Sequence, residues 1–215
     1  MKYKMAFFDL DGTVLDSIAG LAISMNATRV SFGLPEQPQD LLQSFVGNGI
    51  RKLIERSTAK ESNVDRDALY AGFMKYYGEH CVELTKPYEG IPEMLKTIRS
   101  AGLMTAISTN KPDAPSHDLI DALLPDLFDH VQGQIDGIPL KPDPVSVLSV
   151  CAKFGVDPSE CVYIGDSEVD IAMGRNCGMD MISVDWGFKT HEFLVKNNSP
   201  KIVSSVGELI ECLIG

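Results

Sequence analysis

The strongest constraint in this chain is a change of hydrophobic period part-way along it. From Lys86-Pro87-Tyr88-Glu89-Gly90 onward, short apolar runs alternate with amphipathic stretches of helical spacing, the pattern of parallel strands joined by crossover helices. The runs are Leu103 to Ser108, Phe128 to Gln132, Val162 to Gly165, Met179 to Val184 and Ile202 to Val203. Helical stretches lie near Pro92–Ala101, Ala114–Leu124, Val145–Phe154, Val169–Cys177 and Val206–Ile214. Pro92 suits a first helical turn, and Gly102, Gly155 and Gly178 fall where helices end in the left-handed conformation.

One further apolar run, Met5 to Phe8, precedes this region and stops at Asp9-Leu10-Asp11-Gly12-Thr13. It reads as a buried strand entering a polar turn. The segment between is helical by its spacing. Ser17 is placed as the cap of a helix carrying Ile18, Leu21, Met25 and Phe32, with Gly33 and Pro35 as its stop. Further helices are expected at Gln39 to Val46, at Ile50 to Ser57 after the Gly47-Asn48-Gly49 turn, and at Asp65 to Leu84. The expected fold is therefore α/β: a doubly wound parallel sheet whose first strand is cut off from the others by a wholly helical insertion of about 70 residues. Residues 1–15 and 88–215 are assigned to the sheet domain and 16–87 to the helical one.

Composition narrows the function. At 44% hydrophobic and 23% charged, a chain of 215 residues can bury a globular core. A formal charge of -11 repels nucleic acid and anionic lipid. Asp9 interrupts the first apolar run, and nowhere is there an apolar stretch of membrane-spanning length. No nucleic-acid or membrane partner is expected, and the chain is read as a monomer or homodimer. Five cysteines without a C-x-x-C pair read as reduced thiols of a cytoplasmic protein, and the four histidines show no ligand spacing.

Ligands of open parallel sheets bind beyond the carboxyl ends of the strands. Asp9 and Asp11 follow the first expected strand, Thr109-Asn110-Lys111 the second, Lys141 lies after the third, and Asp166 with Asp170 follows the fourth. Carboxylates crowded there stay ionised only beside a cation, and an all-oxygen donor set favours Mg²⁺, which typically joins carboxylates to a substrate phosphate. Lys141, with Lys111 as a second candidate, supplies positive charge for that phosphate. Asp9 is the candidate nucleophile, forming an aspartyl phosphate. Asp11 is the candidate acid and base, protonating the leaving alcohol and then deprotonating the attacking water. Thr109 and Asn110 are candidate donors to the phosphoryl oxygens.

The run Phe8-Asp9-Leu10-Asp11-Gly12-Thr13-Val14-Leu15-Asp16-Ser17 resembles the first motif of the haloacid-dehalogenase-like (HAD) superfamily. Ile107-Ser108-Thr109-Asn110-Lys111-Pro112 resembles its second motif, Lys141-Pro142-Asp143-Pro144 its third, and Gly165-Asp166-Ser167 through Asp170 its fourth. Within it, Phe45-Val46-Gly47-Asn48-Gly49, Pro87-Tyr88-x-Gly90 and Asp185-Trp186-Gly187-Phe188 look like phosphoglycolate phosphatase-like enzymes. The resemblance implies a Rossmann-like core with an inserted α-helical cap. It also implies a Mg²⁺ site made by Asp9, the Asp11 carbonyl and Asp166 with support from Asp170, and a small phosphorylated metabolite as substrate, 2-phosphoglycolate first. Gly47, Asn48, Gly49 and Arg51 would face the site from the cap, with Arg51 toward a substrate carboxylate.

The alternative is a phosphatase or phosphomutase of the same superfamily for sugar phosphates, nucleotides or pyrophosphate. From a different class, a phospho-aspartate switch like a response-regulator receiver uses a similar acidic pocket. The helical insertion and the early position of the acceptor aspartate argue against it.

Overall fold

The computed structural model describes residues 2–215. Its sheet strands are β1 (Met5–Phe8), β4 (Met104–Pro112), β5 (His130–Gln134), β6 (Cys161–Gly165), β7 (Asp180–Val184) and β8 (Ile202–Val203). They form one parallel sheet in the order β5-β4-β1-β6-β7-β8. The crossover helices are α5 (Ile91–Ser100), α6 (Asp113–Leu123), α7 (Val145–Phe154), α8 (Glu168–Cys177) and α9 (His191–Lys196), and α10 (Val206–Ile214) follows the last strand.

Alternation within the central strands explains why both faces are covered. Ala6, Phe8, Val162 and Ile164 point into one core layer, whereas Met5, Phe7, Cys161 and Tyr163 point into the other. Every residue of β1 is buried, as a central parallel strand requires. The chain winds to opposite sides of β1, through β4 and through β6, so a crevice opens beyond the ends of these three strands.

The helices between β1 and β4 are α1 (Ile18–Ser31), α2 (Gln39–Phe45), α3 (Ile50–Ser57) and α4 (Arg66–His80). α1 packs on α2 and α4, and α3 joins α2 to α4. Their apolar faces, with Met25, Leu53 and Phe73, share one continuous core with Phe8 and Ile107 of the sheet. The Asp65 carboxylate starts α4 by accepting from the N–H groups of Asp67 and Ala68, both at 3.0 Å.

Several expectations need correction. The helical segment is flanked by two short strands, β2 (Leu15–Asp16) and β3 (Lys86–Pro87), which pair antiparallel where the chain leaves and re-enters the sheet layer. α4 stops at His80 rather than Leu84. β4 runs on to Pro112, with a register shift between Ser108 and Pro112 that frees Thr109, Asn110 and Lys111 from regular pairing. α9 has no counterpart in the periodicity. Ser17 does not cap α1 through its side chain; its hydroxyl donates to Asp11 instead. All five cysteines are unpaired, and no helix among the described residues is long and apolar enough to cross a membrane.

Candidate active site

Asp9 extends the β1–β6 pairing by one residue, its N–H donating to the Ile164 carbonyl at 2.8 Å. This sends its carboxylate over the crevice, where Oδ1 lies 2.9 Å from Lys141 Nζ. The same ammonium donates to Asp170 at 2.8 Å and to the Ser108 carbonyl at 3.1 Å. Lys141 is held from its backbone as well: its N–H donates to Asn110 Oδ1 at 2.7 Å, and Asn110 Nδ2 donates to its carbonyl at 3.2 Å.

Asp170 stands in the first turn of α8, with Oδ2 accepting from the Ser167 N–H and hydroxyl at 3.1 and 2.6 Å. One carboxylate thus closes a capping box and binds Lys141. Asp166, just beyond β6, accepts from the Phe188 N–H at 2.6 Å and from the Thr13 hydroxyl at 3.5 Å. Glycines make room for this packing. A Cβ on Gly187 would lie 2.5 Å from Asp166 Oδ2, and one on Gly165 would lie 2.3 Å from Asp170 Cγ.

Carboxylate oxygens of Asp9, Asp166 and Asp170 all fall within 4.8 Å of one another. Burial drives the Asp9 carboxyl up to about 7, against the pull of Lys141 and with the Asp170 charge adding to the rise. Burial likewise pushes Asp166 well above the carboxylate range, with Asp170 and Asp9 contributing. Burial alone would pull Lys141 down, but Asp170 and Asp9 together raise it well above the ordinary lysine value. Three site carboxylates, Asp9, Asp166 and Asp170, face one ammonium group, that of Lys141. Two positive charges are lacking, and an all-oxygen cluster of that deficit can hold a hard divalent metal ion.

Asp11 sits apart from the triad. Lys111 Nζ donates to its two carboxylate oxygens at 2.9 and 3.1 Å and also to the Tyr77 hydroxyl. All three donors of Lys111 are directed to protein partners, as are those of Lys141. Asp9, Asp11, Thr109, Asn110, Lys111 and Asp166 line a cavity of about 40 Å³. Gly47, Gly49, Leu21, Val46, Ile50 and Leu53 close it from the helical side, with Phe188 and Lys189 at its edge. Gly47 is tied to the sheet layer through its carbonyl, which accepts from Asn110 Nδ2 at 3.1 Å.

Asn48 and Arg51 are not part of this lining. Arg51 is 70% exposed, pairs with Asp67 at 2.8 Å and stacks over Tyr70. It lies off the face of α3 on which Ile50, Leu53 and Ile54 are buried, so it points outward. Tyr77 joins the site from α4 without any sequence signal, whereas Ser17 and Phe188 stand inside motifs singled out above, with no signal for the contacts they make here. The β4 irregularity does have one, the polar run Thr109-Asn110-Lys111.

The family model described as haloacid dehalogenase-like hydrolase matches residues 6–184. The chain belongs to that family. A phosphoglycolate phosphatase of Pasteurella multocida is 32% identical over 87% of this chain and 88% of its own length. An N-acetylmuramic acid 6-phosphate phosphatase of Pseudomonas aeruginosa is 32% identical over 87% of this chain and 84% of its own. Among solved structures, a protein of Lactobacillus delbrueckii subsp. bulgaricus provisionally named phosphoglycolate phosphatase superposes with a TM-score of 0.91, at 33% identity and full coverage of both chains. This HAD-family chain is a phosphatase of the phosphoglycolate phosphatase-like subgroup, built on a parallel six-stranded sheet.

Proposed function

We propose that the chain is a Mg²⁺-dependent phosphomonoesterase that works through an aspartyl phosphate on Asp9, with 2-phosphoglycolate as the leading substrate. The observation that carries this reading is the buried triad of Asp9, Asp166 and Asp170 gathered around Lys141 at the strand ends. A Mg²⁺ ion held there by these oxygens would neutralise phosphoryl charge and keep the carboxylates ionised. Lys141 and Thr109 orient the phosphoryl oxygens. Asp11 enters the cycle as the neutral acid: an Asp9 carboxylate oxygen attacks phosphorus, the bond to the substrate oxygen breaks, and Asp11 gives that oxygen its proton, becoming the carboxylate. Asp11 then takes a proton from water, whose oxygen attacks phosphorus and releases the Asp9 carboxylate and inorganic phosphate.

Residues 16–87 act as a cap over the sheet domain, 1–15 and 88–215. The cavity lies between the strand ends and a cap wall of Leu21, Val46, Ile50 and Leu53, which is where a substrate would be enclosed. The two names carried by relatives of equal identity set the panel that decides the matter. Phosphate release is measured from 2-phosphoglycolate, N-acetylmuramic acid 6-phosphate, hexose phosphates, nucleotides and pyrophosphate, with and without Mg²⁺. Highest kcat/KM on 2-phosphoglycolate, lost in EDTA and restored by Mg²⁺, is expected. Preference for a hexose phosphate would overturn the substrate, and undiminished turnover without metal would overturn the metal-dependent reading.

A further inference from the structure

We propose that Tyr77 is a positioning residue for the acid-base carboxylate: its hydroxyl, carried on α4 in the helical layer, fixes Lys111 in the sheet layer, and Lys111 fixes Asp11. This rests on the reading of Asp11 as acid and base.

An ammonium group has three donors, and here they are directed to Asp11 Oδ1, Asp11 Oδ2 and the Tyr77 hydroxyl. The Lys111 side chain is 0% exposed, at the wall of the active-site cavity, and none of its three donors is left over. On the far side, the Ser17 hydroxyl donates to Asp11 Oδ1 at 2.5 Å, just past the crossing strand β2. Asp11 is thus gripped from the sheet layer by Lys111 and from the start of the helical segment by Ser17. Tyr77 determines where the first of those grips sits.

Packing alone does not account for a tyrosine at this position. Its ring stacks on Phe73 at 5.3 Å with 10° between the planes, and it is fully buried. Phenylalanine would make that stack equally well and spare the cost of placing a hydroxyl in an apolar core. The hydroxyl's partner is the ammonium group that holds Asp11. The seating of α4 on the sheet is thereby coupled to the orientation of a carboxylate on the other layer.

The experiment compares kcat/KM for two esters: the best alkyl phosphomonoester of the panel, whose alkoxide needs a proton to leave, and p-nitrophenyl phosphate, whose phenolate leaves without one. In Tyr77→Phe the alkyl ester is expected to lose roughly 10-fold and p-nitrophenyl phosphate less than about twofold, because displacing an acid by a fraction of an ångström affects only the step that uses it. Asp11→Asn should show the same selectivity more strongly. Phe73→Leu disturbs the same stack without a polar atom and is expected to lower the thermal midpoint while leaving the ratio of the two esters unchanged. If Tyr77→Phe matches the wild type on both esters, or slows both equally, while Asp11→Asn remains selective, Tyr77 is packing and the proposal fails alone. If Asp11→Asn is itself unselective, the acid-base reading fails and this proposal with it.

Discussion

Lys141 and Asp170 form an ion pair of 2.8 Å in which the side chains are 3% and 0% exposed. The pair is shared, since the same ammonium lies 2.9 Å from Asp9. In Lys141→Met two carboxylates lose their cation, and that of Asp170 is fully buried. Removing one member of a buried pair costs about 3–5 kcal/mol. Urea unfolding of the metal-free protein should show a loss of that order, and the activity should fall by at least about 100-fold. An unchanged unfolding midpoint would show that Lys141 is not holding this cluster together.

Stability should depend on pH in a direction set by Asp9 and Asp166. In the metal-free folded chain both carboxyls bind their protons more tightly than in the unfolded chain, Asp9 rising from 3.8 to about 7. The stabilisation is complete below the unfolded value and is lost as pH rises through the folded one. Lys141 is raised too, but its contribution is lost only in strongly alkaline solution. Urea midpoints in EDTA should therefore fall between about pH 4 and pH 7, and Mg²⁺ should flatten or reverse the trend. Midpoints that rise over that interval in EDTA would contradict the burial argument.

Gly187→Ala tests the packing beneath the triad. The added methyl would lie 2.2 Å from the Gly12 carbonyl oxygen and 2.5 Å from Asp166 Cβ, so Asp166 has to move. Overpacking of this kind costs about 1–3 kcal/mol, and a displaced ligand weakens metal affinity roughly 10-fold or more. Titration calorimetry with Mg²⁺ or Mn²⁺ measures the second effect directly, and wild-type affinity in this variant would remove Asp166 from the metal site.

The parts that were legible in the sequence are those where one short segment decides the outcome. Met5 to Phe8 and Val162 to Gly165 are apolar runs ending in aspartate, and each became a buried strand with its carboxylate over the crevice. Gly155 and Gly178 do end their helices in the left-handed conformation. What escaped depends on partners chosen in space. Two residues carry no period, so the Leu15–Asp16 pairing with Lys86–Pro87 left no trace. Ser17 has the chemistry of a cap, but a carboxylate six residues earlier offers a charged acceptor. Lys111 and Arg51 look alike as cations near motifs; burial between Asp11 and Tyr77 decides one, and the exposed face of α3 decides the other.

Arg29 provides a test remote from the chemistry. Its side chain is 1% exposed, and its guanidinium serves the carbonyls of Pro35 and Ser57 and the Glu61 carboxylate. Arg29→Met leaves the Pro35 carbonyl and the Glu61 carboxylate without this donor, while the Ser57 carbonyl keeps Gln37 Nε2 at 2.9 Å, with an expected loss of about 3 kcal/mol in urea unfolding. A loss below about 0.5 kcal/mol would mean that water reaches the vacated site.

The most direct measurement is a rapid acid quench of turnover on phosphate-labelled substrate, followed by digestion and mapping of covalently bound label. Label on the peptide carrying Asp9, appearing within the first turnover and missing in Asp9→Asn, is the expected result. Turnover at the normal rate with no label on that peptide, or with label on another residue, would contradict the assignment of Asp9 as the phosphoryl acceptor.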